Sequence, residues 1–409
     1  MPIPLKSATA ALLALSSLAS AQSSRPAALP EDPTTAPAGQ PIDEADEGRT
    51  DLPPPPTTMP RPPGVGGAEV GTAIYAGDEI LLDYYPTPQL VTKRTIVRQA
   101  KFPAIDIHCH WGPDQDASEM LRAMDERNVA YAVNLSGGET AEAIAAMKGQ
   151  FADDRLIIFC NLDYSRLGDD AFYEQALRDA HAAGAKGLKI WKNLGLTLKD
   201  ENDQRVPVDD PRLDVVWRTC AELDMPVLIH VADPAAFFEP IDGHNERWMQ
   251  LYRHPDWAFS ADEFPSRAQI LDERDRMIAR HPETNFIGAH VANEAEDLAS
   301  VGERMRRLPN LYADISGRVA ELGRQPYSAR KFIIEFQDRV LFGTDRYPGR
   351  PDQPRYRVYF RFLETDDEYF NYYQHPFPPT GEWRIYGVFL PDDVLKKVYH
   401  DNAAKLLGL

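Results

Sequence analysis

The 409-residue chain is 43% hydrophobic and 26% charged, a globular composition long enough for one large domain or two ordinary ones. Its formal net charge of −19 repels phosphate backbones and anionic membrane surfaces, so no nucleic acid is expected as a partner and a small molecule is. Cys109, Cys160 and Cys220 are too few, and odd in number, for a disulfide framework; they are expected as buried free thiols in a fold stabilised by its core.

The chain opens MPIPLKSATAALLALSSLASA. Lys6 precedes an apolar run, and Ala19-Ser20-Ala21 forms a small-x-small cleavage site. Residues 1–21 therefore read as a signal peptide, and the protein as exported to a periplasm or the extracellular space. The run is too short to span a bilayer comfortably, and no membrane insertion is expected after cleavage. Residues 22–72 are rich in Pro, Ala, Thr and acid, with PPPP at 53–56, and lack hydrophobic periodicity. Such a stretch buries too little apolar surface to offset its ordering entropy, which predicts a disordered linker. One domain is expected over 73–409.

Within that domain, apolar strand runs alternate with amphipathic helical segments. The predicted strands are AIDIHCH (104–110), VAYAVNL (129–135), LIIFCNLD (156–163), KGLKIWK (186–192), PVLIHVA (226–232), NFIGAHV (285–291), NLYADIS (310–316) and RVLFGTD (339–345). Eight strand–helix alternations with near-continuous apolar strands predict an α/β fold, a (β/α)8 TIM barrel. An open doubly wound sheet is the rival, but it normally carries a Gly-rich loop after its first strand, where this chain has HCHWG. Two stretches exceed what a barrel needs, 233–265 after strand 5 and 346–390 after strand 8. Both are aromatic-rich and follow the C-terminal end of a strand, the end where barrel active sites form.

The polar residues at those strand ends carry the chemistry. His108 and His110 end strand 1, and their spacing of two predicts that both face the barrel mouth while Cys109 faces outward. His230 ends strand 5, His290 strand 6 and Asp345 strand 8. A lone strand-end histidine is more often a satisfied structural residue than a ligand, but that reading does not explain five such side chains on one rim. Imidazole nitrogen with carboxylate oxygen suits zinc, or iron, manganese or nickel, and a catalytic site of this kind keeps one position open for water. Weaker candidates are Lys192 and Asn193 past strand 4, Arg318 past strand 7 and Arg346 past strand 8. Arginine suits bidentate capture of a substrate carboxylate, and these cations read equally well as salt-bridge partners. Asp163 and Tyr164 at strand 3 are undecided; His181, His254, His281, His375 and His400 are not expected as ligands; His244 could approach the site from the strand-5 excursion.

DIHCH, LIHVADP, FIGAH and LFGTD together resemble the amidohydrolase superfamily, in its amidohydrolase-related branch of metal-dependent TIM-barrel hydrolases, over about residues 100–409. KFPAIDIHCH, GAKGLKIWKNLGL, VLIHVADPAAFFEPID and ELGRQPYSARKFI are further similar to exported bacterial members. The resemblance implies that His108, His110 and His230 are metal ligands. Asp345 is then the acid that binds the metal or takes a proton from its water, and His290 binds a second metal or hydrogen-bonds the substrate or its developing oxyanion. Lys189 is similar in place to a lysine whose carboxylated form bridges two metals; an ordinary lysine there could bind an anionic substrate or pair with an acid. One divalent ion, Zn2+, is expected, with two if Lys189 is carboxylated. Lys192 and Arg318 are the expected contacts for a substrate anion. The resemblance implies a hydrolase of amides, lactones or esters; a decarboxylase on the same residues is the alternative. A noncatalytic binding protein on an eroded barrel is a third reading, which predicts lost ligand positions where all five are intact here. A homo-oligomer is left open.

Overall fold

The computed structural model of the protein describes residues 88–252, 254–349, 355–373 and 380–409, together with the strand segments Thr58–Pro60, Tyr75–Ala76 and Glu79–Leu81. The predicted signal peptide 1–21 and, apart from Thr58–Pro60, the Pro-rich stretch 22–72 lie outside the described residues. Thr58–Pro60 and Tyr75–Ala76 pair antiparallel with the two edges of Glu79–Leu81.

The eight predicted strands all form, shorter than their apolar runs. They are β1 (Ala104–Cys109), β2 (Val129–Asn134), β3 in two pieces (Leu156–Ile158 and Cys160–Asn161), β4 (Leu188–Ile190), β5 (Val227–Ile229), β6 (Phe286–Gly288), β7 (Leu311–Asp314) and β8 (Val340–Leu341). Each pairs in parallel with the next, β3 reaching β2 through its first piece and β4 through its second. The ring closes between β8 and β1. Ile107 N donates to Phe342 O (3.1 Å), Asp345 N to His108 O (2.7 Å), and Cys109 bridges Arg346 in parallel. This is a (β/α)8 TIM barrel, with excursions after strands 5 and 8.

Seven helices follow the first seven strands: α1 (Ala117–Arg127), α2 (Ala141–Gln150), α3 (Asp170–Ala182), α4 (Asp214–Glu222), α5 (Arg267–Arg280), α6 (Leu298–Arg307) and α7 (Pro326–Glu335). Their starts are set by short polar side chains that satisfy first-turn N–H groups, as Asp116, Thr140, Asp169, Ser266 and Asp297 do. Ile105, Ile107, Val133, Leu135, Ile157, Phe159, Leu228, Ile287 and Leu341 form one buried cluster, the barrel interior. Ala403, Ala404, Leu406 and Leu407 of the C-terminal helix Asn402–Leu407 pack into that same cluster. The larger core joins the outward strand faces to the helices and contains all three cysteines as free, buried thiols. No helix among the described residues is long and apolar enough to cross a membrane.

Both excursions arise on the rim that carries the histidines. The strand-5 excursion is tied to the segment after β7 by a buried Arg247–Glu321 ion pair and an Arg324–Glu246 pair at 3.1 Å. The strand-8 excursion holds the helix Arg355–Glu364 and a bridge between Phe370 and Ile385.

Candidate metal centre

The β1 strand does not run straight into the site. Its register against β2 shifts between Asp106 and Cys109. Ile107 joins the barrel interior, Asp106 accepts from Thr344 Oγ1 (2.6 Å) and Tyr356 Oη (2.7 Å), and His108 and His110 both reach Asp345. Asp345 Oδ1 lies 3.5 Å from His108 Nε2 and 3.3 Å from His110 Nε2. His108 is buried, whereas the side chains of His110 and Asp345 are 28% and 36% exposed, so the cluster opens to solvent on one side.

The far nitrogens of the rings are held from behind. His108 Nδ1 donates to Asp314 Oδ2 (2.9 Å), which leaves its Nε2 with a lone pair toward Asp345. His110 Nδ1 meets Ser136 Oγ (2.9 Å), and the His110 ring stacks on Trp191 with centroids 5.3 Å apart. His290 Nδ1 donates to Ser316 O (2.8 Å), while its backbone N–H donates to Asp314 Oδ1 (3.0 Å). Ser316 Oγ sits at the centre, 2.8 Å from His108 Nδ1 and 2.5 Å from Asp314 Oδ1. The grouping of His108, His290 and Asp314 is therefore a hydrogen-bonded support filled by a hydroxyl, and the grouping of His108, His110 and Asp345 is the one with its donor atoms facing out.

His290 is presented by an unusual turn. His290, Val291, Ala292 and Asn293 have φ of 58, 59, 51 and 60°. Left-handed backbone costs an L-residue roughly 1–2 kcal/mol, so a run of four requires its surroundings to hold it. Gly288 makes the close return possible, because a Cβ there would lie 2.8 Å from Ala292 Cα. Gly317, at φ 63°, keeps the gap between His290 and Asp345 clear: a Cβ would sit 3.3 Å from His290 Nδ1 and 3.6 Å from Asp345 Oδ2.

The four predicted ligands do not all meet. His230 lies outside both metal-competent groups; its ring stands edge-on to His290, centroids 4.6 Å apart. Its Nε2 is 3.5 Å from Asp233 Oδ1, too long for a well-formed hydrogen bond, and is buried without a partner. Asp233 is instead committed to Lys192 Nζ at 2.7 Å, so Lys192 is an ion-pair partner rather than a free cation at the mouth. Lys189 is fully buried, its Nζ has no hydrogen-bond partner, and burial brings its pKa down to about 8 against the pull of Asp314 and Asp345. Arg318 is half-buried, donates to Gly317 O (2.9 Å), and is near enough for its charge to act on His290. His244 is exposed and its backbone N–H donates to Asp242, His254 stacks on Trp257, and His281 pairs with Asp214. His375 lies outside the described residues. Sequence reasoning missed Asp314, Ser316, Asp233 and Trp191. The signal for Asp314 and Ser316 is an acid and a hydroxyl two apart in the apolar run NLYADIS.

The donor set fits a divalent cation. Desolvation lowers the pKa of His110, brings that of His230 down to about 4 and holds that of His290 well below the usual imidazole range, so the rings are neutral donors. For Asp345, burial pushes upward, but the contact with His110 pulls further down and holds the carboxyl well below the usual carboxylate range. Two imidazoles and a carboxylate close together, with a third partnerless imidazole nearby, are a donor set that would suit a divalent ion with one position left open.

The amidohydrolase family model matches residues 105–409. This chain belongs to the amidohydrolase family. No curated protein matches it. Among solved structures, this amidohydrolase is similar to a dihydroxybenzoic acid decarboxylase from Polaromonas sp. JS666 with bound manganese and the inhibitor 2-nitroresorcinol, at 14% identity and a TM-score of 0.48, over 75% of this chain and 97% of that one. It is similar to 2,6-dihydroxybenzoate decarboxylase from Rhizobium at 17% identity and a TM-score of 0.43, over 76% and 99% of the two chains. It is also similar to 4-oxalomesaconate hydratase from Rhodopseudomonas palustris at 13% identity and a TM-score of 0.45, over 75% and 95%.

Proposed function

We propose that this amidohydrolase is a metal-dependent hydrolase that cleaves an amide, lactone or ester bond in a small organic substrate. The observation that carries the reading is the convergence of His108 Nε2 and His110 Nε2 on Asp345 Oδ1 at 3.5 and 3.3 Å, with both Nδ1 atoms engaged behind. His108, His110 and Asp345 would hold the ion, and His230 would join them by turning its partnerless Nε2 toward the cluster. Zn2+ suits this nitrogen and oxygen set best, and when bound it supplies Lewis acidity toward water and a carbonyl oxygen.

The remaining work falls to the chain. Asp345 is an acceptor-only carboxylate at the open side of the cluster, placed to take the proton of the attacking water. His290 has its proton on Nδ1, held by Ser316 O, and so offers a lone pair at Nε2. It can receive that proton and pass it to the leaving group; only after protonation can Nε2 donate to the oxyanion, so neutral His290 does not stabilise that charge directly. Asp314 and Ser316 fix both rings in these tautomers.

Lys189 favours a second reading, decarboxylation. A buried ammonium without a hydrogen-bond partner beside the site is suited to holding a substrate carboxylate. Screening lactones, esters, amides and aromatic or enoic carboxylates with the Zn2+-loaded protein separates the two. Hydrolysis consumes water and releases an acid, whereas decarboxylation releases carbon dioxide. The hydrolase reading expects acid release from at least one substrate without carbon dioxide; carbon dioxide together with the decarboxylated compound, and no hydrolysis product from any substrate, would overturn it.

A further inference from the structure

One arginine reaches both of the turns that present His230 and His290. Arg267 opens α5, and its side chain is 15% exposed. Its Nε donates to Asp233 O (2.9 Å), past the end of β5, and its Nη2 donates to Asn293 O (2.6 Å), at the end of the left-handed run. Glu296 Oε1 steadies the guanidinium at 2.7 Å. Asp233 is the residue facing His230, and Asn293 closes the turn carrying His290. Both backbones are left-handed there, at Ala232 (φ 62°) and at His290–Asn293, and none of these positive-φ positions is a glycine.

We propose that Arg267 is a positioning residue, fixing His230 and His290 against each other by gripping the carbonyls of Asp233 and Asn293 with one planar fork. It touches neither ring and acts only through the two turns. The inference rests on the proposed reading of His230 as the ligand that joins His108, His110 and Asp345, with His290 beside it; the expected change in metal affinity runs through His230. A lysine keeps the charge but, as a point donor, does not match two carbonyls with a rigid fork. The neighbouring Arg274, fully buried, braces Ala292 O (2.5 Å) and leaves the β5 side untouched.

The test titrates Co2+ into metal-free wild type, Arg267→Gln, Arg267→Lys and Arg276→Gln, reading the dissociation constant and the visible absorption bands of the bound ion. Arg276 is on the same helix and pairs at the surface with Asp209, so its variant controls for general perturbation of α5. Support for a ligand through its surroundings is worth about 10- to 100-fold in metal affinity. Arg267→Gln is expected to lose that much and to shift the bands; Arg267→Lys is expected to lose less, and Arg276→Gln nothing. Wild-type affinity and spectrum in folded Arg267→Gln overturn the positioning role. Should Arg267→Gln fail to fold, Arg267→Lys decides: unchanged Co2+ affinity and bands overturn it, weakened affinity supports it. If wild type itself binds no Co2+, the metal-centre reading falls and takes this inference with it.

Discussion

His108→Ala is expected to lose its metal and its turnover together while the barrel stays folded. His108 is the most interior of the clustered donors, with one ring nitrogen toward Asp345 and the other on Asp314. Losing the ring removes a ligand and leaves Asp314 with Ser316 and the His290 backbone as partners. A catalytic ion supplies several kcal/mol of charge stabilisation, so turnover should fall by about 10³-fold or more. The strands and their closure do not depend on this imidazole, so circular dichroism should match wild type. A variant with no folded population would make the site structural instead of catalytic.

His290→Asn is expected to separate catalysis from metal binding. The grouping of His108, His110 and Asp345 does not include His290, and His108 keeps its bond to Asp314 in the variant, so metal content should stay near that of wild type. Asparagine can fill part of the space but cannot take up and return a proton, the step assigned to Nε2. Loss of such a group costs about 10²–10³ in turnover. Metal analysis of both proteins checks the interpretation. Two equivalents in wild type and one in the variant would make His290 a second-metal ligand and Lys189 the natural bridge.

The barrel was legible because each strand is buried on both faces and so appears as an unbroken apolar run. The polar residues at strand ends were legible because apolar strands leave nowhere else for a histidine to end except the rim. What was not legible is the backbone that aims them. The shift within β1 and the break of β3 at Phe159 come from pairing with neighbours distant in sequence. The left-handed run at His290–Asn293 contains no glycine to signal it and is held by arginines from α5. Asp314 is separated from His108 by 206 positions, a partnership that no local pattern encodes. For the same reason the placement of His230 Nε2 3.5 Å from Asp233 Oδ1, three residues away, was not legible.

The central claim is that His108, His110 and Asp345 form a centre for one divalent ion. Counting metal per chain by plasma mass spectrometry tests it most directly, in wild type and in a His110→Ala/Asp345→Ala double variant, each loaded with Zn2+ and dialysed. The account predicts about one equivalent in wild type and almost none in the double variant. Wild type without bound ion, or a folded double variant that still carries a full equivalent, would contradict it.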